Sequence, residues 1–162
     1  MTAPTSHTPF TPIPARLRGS IDVMLRVLEG LQAPALLAAR GYVAYVFFAS
    51  GLTKLRDWDT TLFLFTEEYK VPGLSPALAA WTGTAGELVL PVLLALGLTG
   101  RFAALGLSVV NLVAVVSLAE IAPAAAVQHQ LWGVLLLLPL LWGPGAWSAD
   151  AWLWGRWRRS GA

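Results

Sequence analysis

The sequence predicts an all-α integral membrane protein: a four-helix bundle in the bilayer, preceded by an amphipathic helix and carrying a short amphipathic insert between its first two spans. Three observations predict it. Apolar residues make up 56% of the 162-residue chain and charged residues only 12%, about half of the roughly 25% that soluble domains carry. Four apolar runs approach the roughly 20 residues that a helix needs to cross a bilayer. Lys and Arg gather at the chain ends and in one loop, which is a topology signal.

The same composition excludes several functions. A net charge of +2 is too small to mark a nucleic-acid partner. With no cysteine, the chain builds no thiol redox centre, disulfide or cysteine-ligated iron–sulfur cluster of its own. Its two histidines are His7 and His129. His7 falls in a proline-rich tail, which argues against a bis-histidine haem within one subunit. The chain contains no nucleotide loop, HExxH helix or serine elbow.

Taken in order, residues 1–18 hold four prolines and no apolar run. They read as a disordered tail without the apolar core of a signal peptide. Residues 19–33 place Ile21, Met24, Leu25, Leu28 and Leu31 on one helical face, and Asp22, Arg26, Glu29 and Gln32 elsewhere. This run is too short and too charged to span, so it reads as a helix lying on the membrane surface, the alternative being a lead-in to the first span. The membrane domain occupies residues 34–157, with spans at about 34–55, 76–98, 102–122 and 126–142, and a tail at 158–162. Gly and Pro inside these runs are compatible with bilayer helices. The insert at 57–74 carries a capping Asp57 or Asp59, apolar Leu62, Phe63 and Phe65, and a stop at Pro72; it is expected in the interface.

The positive-inside rule sets the orientation. Arg16, Arg18 and Arg26, then Arg101, then Arg156, Arg158 and Arg159 fall on one side, which makes that side the cytoplasm and places both termini there. Arg56 and Lys70, on the other side, are diluted by Asp57, Asp59, Glu67 and Glu68. The tryptophans follow the aromatic-belt pattern: Trp58, Trp81 and Trp132 near the outer face, Trp142, Trp147, Trp152, Trp154 and Trp157 near the inner one.

Charges inside the spans need partners. At about 1.5 Å of rise per residue, Arg40 lies about 21 Å below Lys54, Glu87 about 17 Å below Pro76, and Asn111 about 15 Å above Arg101. The economical arrangement is a buried polar band in which Arg40 pairs with Glu87 and Asn111 adds a hydrogen bond, with Tyr42 and Tyr45 as further members. Alternatively Arg40 turns to the cytoplasmic interface. The band serves either to fix helix register or to handle a ligand or proton. A second polar group, an outer rim, holds Lys54, Glu120 and His129 beside Arg56, Asp57, Glu67 and Glu68. Such a group could bind a divalent metal or a proton, but one histidine among scattered carboxylates is a weak donor set, and a wet polar rim around the helix ends is the favoured reading. His129 is the residue placed for a pH-linked role.

Four stretches together resemble one family: Arg40 with FFASGLTKL at 47–55, FTEEYKVPGLSP at 65–76, AGELVLPVLLALGLTGR at 85–101 and HQLWGVLLLLPLLWGPGAWSAD at 129–150. In this order and spacing they are similar to the DoxX family of small bacterial membrane proteins, over about residues 36–153. The resemblance implies a four-helix protein of the bacterial cytoplasmic membrane. It also marks Arg40, Lys54, Glu87, Arg101 and His129 as family-type polar residues. The family takes its name from a subunit associated with thiosulfate:quinone oxidoreduction. Other members are associated with membrane complexes that handle oxidative stress, or with operons for metal-binding peptides.

The expected function is therefore an accessory subunit of a quinone-linked membrane complex, without intrinsic enzyme activity. The alternatives are a module for small-solute or metal-linked transport or sensing, and a structural scaffold. The expected surroundings are the lipid bilayer, other membrane subunits and further copies of the chain. Quinone is the one cofactor the family suggests.

Overall fold

The computed structural model describes residues 15–161, which form six helices and, among the described residues, no strand. They are α1 (Ala15–Arg56), α2 (Trp58–Glu67), α3 (Pro76–Leu96), α4 (Gly100–Val116), α5 (Pro123–Trp142) and α6 (Ala149–Ser160). The tail expected at 1–18 lies outside the described residues up to residue 14; residues 15–18 belong to α1.

Among the described residues, those up to 32 and those from 33 onward are separate compact units. In the first, residues 19–32 are helical and almost wholly exposed, Val23, Met24, Leu25 and Leu28 among them. The expected division between a surface helix and a first span is not a break in secondary structure, because Pro34 sits inside α1. Proline removes one backbone donor from a helix, a loss that helices of a bilayer accommodate.

The second unit holds the bundle. α1, α3 and α5 have the length and apolarity to cross a membrane, and α4 is a shorter apolar helix. Large side chains such as Val89, Leu112, Val134 and Leu141 lie exposed on these helices, as a lipid-facing surface requires. Val43 and Phe47 of α1, Leu94 of α3, Ala103, Ala104 and Leu107 of α4 and Leu136 of α5 make the core. Small residues set its closeness: a Cβ on Gly106 would come within 2.8 Å of Leu90, so α3 and α4 pack through that glycine.

The span ends follow local chemistry. α3 begins on Ser75, whose hydroxyl accepts from the Leu78 N–H, with Pro76 in the first turn. It stops at Gly97, left-handed with φ 65°. There the Leu98 N–H reaches the Leu93 carbonyl and the Gly97 N–H the Leu94 carbonyl, a Schellman closure. α4 has 17 residues, about 26 Å of rise, and ends six residues before the expected 122. Its stop at Ser117 is fixed from outside, because the Ser117 carbonyl accepts the Lys70 N–H of the α2–α3 connection.

α2 is the insert. Asp57 caps it, accepting from the Thr60 N–H at 3.0 Å and from the Thr60 hydroxyl at 2.7 Å. These bonds, the hydroxyl's first, hold the Asp57 carboxyl below its ordinary value. Phe65 buries against Ala79 and Ala80 of α3, and Trp58 stacks on Trp81 at 4.3 Å. Phe63 remains exposed. α6 is an element the hydropathy pattern did not predict. Ser148 caps it through the Ala151 N–H, and it carries Arg156, Arg158, Arg159 and four residues of mixed apolar character that are all exposed.

Candidate functional site

Helical side chains lean toward their own N-terminus, and this decides which charges meet. α1 and α3 run in opposite directions. Lys54, near the end of α1, leans back into the bundle, and Glu87, halfway along α3, leans toward the start of α3. The two therefore approach, and Lys54 Nζ donates to Glu87 Oε2 at 2.6 Å and to Ser50 Oγ at 3.0 Å. The pair is shielded, with 21% of the lysine and 10% of the glutamate side chain exposed. Thr61 of α2 donates its hydroxyl to the Lys54 carbonyl at 2.9 Å and ties the insert over the pair.

The same lean carries Arg40 away from Glu87. The expected Arg40–Glu87 pair is not formed: Cα depth put the two in one band, but their side chains diverge. Arg40 is 1% exposed and reaches the opposite end of the bundle, where its Nη2 donates to the Trp147 carbonyl at 2.6 Å. It lies against Gly97, where a Cβ would come within 2.0 Å of Nη1. Its Nε and Nη1 find no hydrogen-bond partner among the described residues. Asp150 supplies the nearby negative charge. That carboxylate also accepts the Thr99 N–H at 2.9 Å and the Gly100 N–H at 3.0 Å, capping α4 across the chain. Arg40 is thus the pin of the α6 end and not a member of a shared band.

Asn111 also leaves the expected band, to join a residue expected in the rim. It is buried on α4 and clasps His129 of α5 twice: Nδ2 donates to the His129 carbonyl at 2.9 Å, and Oδ1 faces His129 Nδ1 at 2.8 Å. Trp132, expected in the aromatic belt, instead packs edge-on against His129 and Phe47. Tyr45 is 73% exposed and Tyr42 is exposed too; both face outward from the bundle. Glu120 is exposed in the α4–α5 link and is not brought to His129.

Lys54, Glu87 and His129 line one cavity of about 620 Å³. Val46, Phe47, Val109, Val110, Val113 and Trp132 make apolar walls, Ser50 and Ser117 contribute hydroxyls, and Phe65, Tyr69 and Val71 come from the insert and its exit. Burial, then the charges of Glu68 and Glu87, push the Tyr69 hydroxyl above its usual value, which keeps it a neutral donor. Sequence reasoning missed Ser50, Tyr69 and Trp132. Ser50 had a signal, since it stands four residues before Lys54 on the same helical face. Tyr69 had none, because its place depends on how the insert folds back. Among the described residues no group of three metal-ligating side chains gathers.

The arrangement offers a lipophilic chamber with an ion pair and an imidazole on its walls. Such a site takes an apolar molecule with a polar head and orients the head by hydrogen bonds. A family model described as DoxX matches residues 35–120. The match takes in Arg40, Lys54, Glu87 and Asn111 and stops short of α5, so His129 lies beyond it. No curated protein and no solved structure matches the chain.

Proposed function

The chain belongs to the DoxX family of multi-pass membrane proteins, and from that premise we propose that it is an accessory subunit of a quinone-linked membrane redox assembly. The observation that carries this reading is the cavity of about 620 Å³ with Lys54 and Glu87 on an apolar wall. Its size is within the range of about 300–1,000 Å³ typical of small-molecule sites. The Lys54 ammonium suits a ring carbonyl oxygen, and Glu87 keeps that ammonium neutralised while holding a place for a proton. Phe47, Val110 and Val113 suit the ring and the start of a prenyl tail. The chain has no cysteine, so in this reading electrons come from a partner subunit and this chain supplies the chamber.

In the same reading the protein lies in the bacterial cytoplasmic membrane with both termini in the cytoplasm. The Arg40 end, with Arg101 and the arginines of α6, faces inward. A solute path has less support, because it rested on one polar band, and the side chains of Arg40 and Glu87 diverge to separate partners. The test is purification in mild detergent with mass spectrometry of extracted lipids and co-purified proteins. Bound quinone and a redox partner are expected. Protein free of quinone, together with membrane quinone-reductase activity untouched by Glu87→Gln, overturns the reading.

A further inference from the structure

The Asn111–His129 clasp fixes which form of imidazole the cavity meets. A backbone carbonyl only accepts. Asn111 must therefore present its NH₂ to the His129 carbonyl, at 2.9 Å. Its Oδ1 is then the atom 2.8 Å from His129 Nδ1. Oδ1 only accepts as well, so Nδ1 carries the hydrogen. The neutral ring is left with its lone pair on Nε2, an acceptor that makes no hydrogen bond among the described residues. Trp132 braces the ring from the side, edge-on at 4.8 Å.

Glu87 adds a second acceptor. Its Oε2 is taken by Lys54, while Oε1 has no hydrogen bond among the described residues. Lys54 already donates twice, to Ser50 and Glu87, which leaves one ammonium hydrogen. The indole N–H of Trp132 is buried without a partner among the described residues, and the Tyr69 hydroxyl serves as donor or acceptor. The chamber thus holds two unused acceptors, His129 Nε2 and Glu87 Oε1, beside the last Lys54 hydrogen and the hydroxyls of Ser50 and Tyr69, and of the two acceptors only the imidazole nitrogen is uncharged.

We infer that the cavity binds a lipophilic molecule through a donated hydroxyl, with His129 Nε2 as its acceptor. On the quinone reading above, on which this rests, the preferred ligand is the reduced hydroquinone and not the quinone, whose two carbonyl oxygens only accept.

Decylubiquinol and decylubiquinone, titrated into the full-length protein in nanodiscs, test it by calorimetry without oxygen. At about pH 8 an ordinary imidazole is neutral. The quinol is expected to bind about tenfold more tightly, the worth of one hydrogen bond to an otherwise unpaired group. His129→Phe is expected to abolish that preference, and Asn111→Leu, which frees the tautomer, to reduce it. The unsubstituted protein gives an independent measurement: with only two histidines, ¹⁵N-histidine spectra read the tautomer of His129 directly, and Nδ1–H is expected. Equal or tighter binding of the quinone overturns the inference while the cavity reading stands. An Nε2–H tautomer also overturns it. Failure of both probes to bind overturns the inference and the cavity reading together.

Discussion

Lys54 and Glu87 stand 33 residues apart in the chain and 2.6 Å apart in the bundle. Their contact follows from two antiparallel helices whose side chains lean toward each other. It converts two unfavourable intramembrane charges into one partly shielded pair. Replacing one partner leaves the other charge uncompensated, which costs about 3 kcal/mol. Lys54→Met and Glu87→Leu are each expected to lower the melting temperature in detergent, and the double substitution to recover most of the loss. Strictly additive losses would show that the two residues do not act as a unit.

Gly97 has two reasons to be glycine. Its φ is 65°, and a Cβ there would lie 2.0 Å from Arg40 Nη1 and 2.5 Å from Ser148 Cβ. Gly97→Ala is expected to cost about 2 kcal/mol or more from conformation and overlap together. Gly30→Ala, on an open helical face, is the control and should be neutral or slightly stabilising. Equal melting temperatures for the two variants would mean that Arg40 does not sit against the turn.

Asp150 caps α4 from α6 and also donates its own N–H to the Gly97 carbonyl at 3.1 Å. Asp150→Ala is expected to cost about 1–2 kcal/mol, as loss of a helix cap does. It should also expose the 143–148 segment to limited proteolysis before the spans unfold. A cleavage pattern unchanged from the parent protein would contradict that role.

The Asp57 cap gives a pH dependence with a definite sign. Its carboxyl is held below the ordinary value by the Thr60 hydroxyl and N–H. The stabilisation is therefore complete above the unfolded carboxylate value of about 3.9 and is lost as pH falls through the lower folded value. The Thr60 amide proton shift is expected to titrate with a midpoint below 3.9, and Asp57→Asn to flatten the curve. A midpoint at or above the ordinary value would remove the cap from the account of α2.

Orientation is accessible because the chain carries no cysteine. Thr60→Cys on α2 and Ser160→Cys on α6 are both exposed positions. In intact cells a membrane-impermeant maleimide is expected to label the first and spare the second. The reverse pattern would invert the proposed topology.

Although α4 came out shorter than its expected span, the apolar helices were legible in the sequence because hydropathy and length constrain them directly. So was the need of Glu87 for a partner. The identity of that partner was not, because depth was counted along helix axes while contacts are made by side-chain tips. Lys54 and Arg40, 14 positions apart on one helix, lean the same way, and only Lys54 leans toward Glu87. The Asn111–His129 clasp escaped for a related reason: each residue was assigned to a different layer, and the reach of an amide and a ring spans the gap between layers. α6 escaped because its alternation of Trp and Arg has little mean hydropathy, although Ser148 and Asp150 carried an ordinary capping signal.

The shortness of α4 reaches beyond the bundle. A helix of about 26 Å beside hydrocarbon about 30 Å deep leaves a mismatch that thinning of the adjoining leaflet would relieve, at a fraction of a kcal/mol per Å. Because Ser117 both ends α4 and lines the cavity, such thinning would bring lipid headgroups down beside the chamber. On the quinone reading proposed above, a prenylated molecule arriving sideways through the membrane would meet the protein with its polar head already at the water's edge.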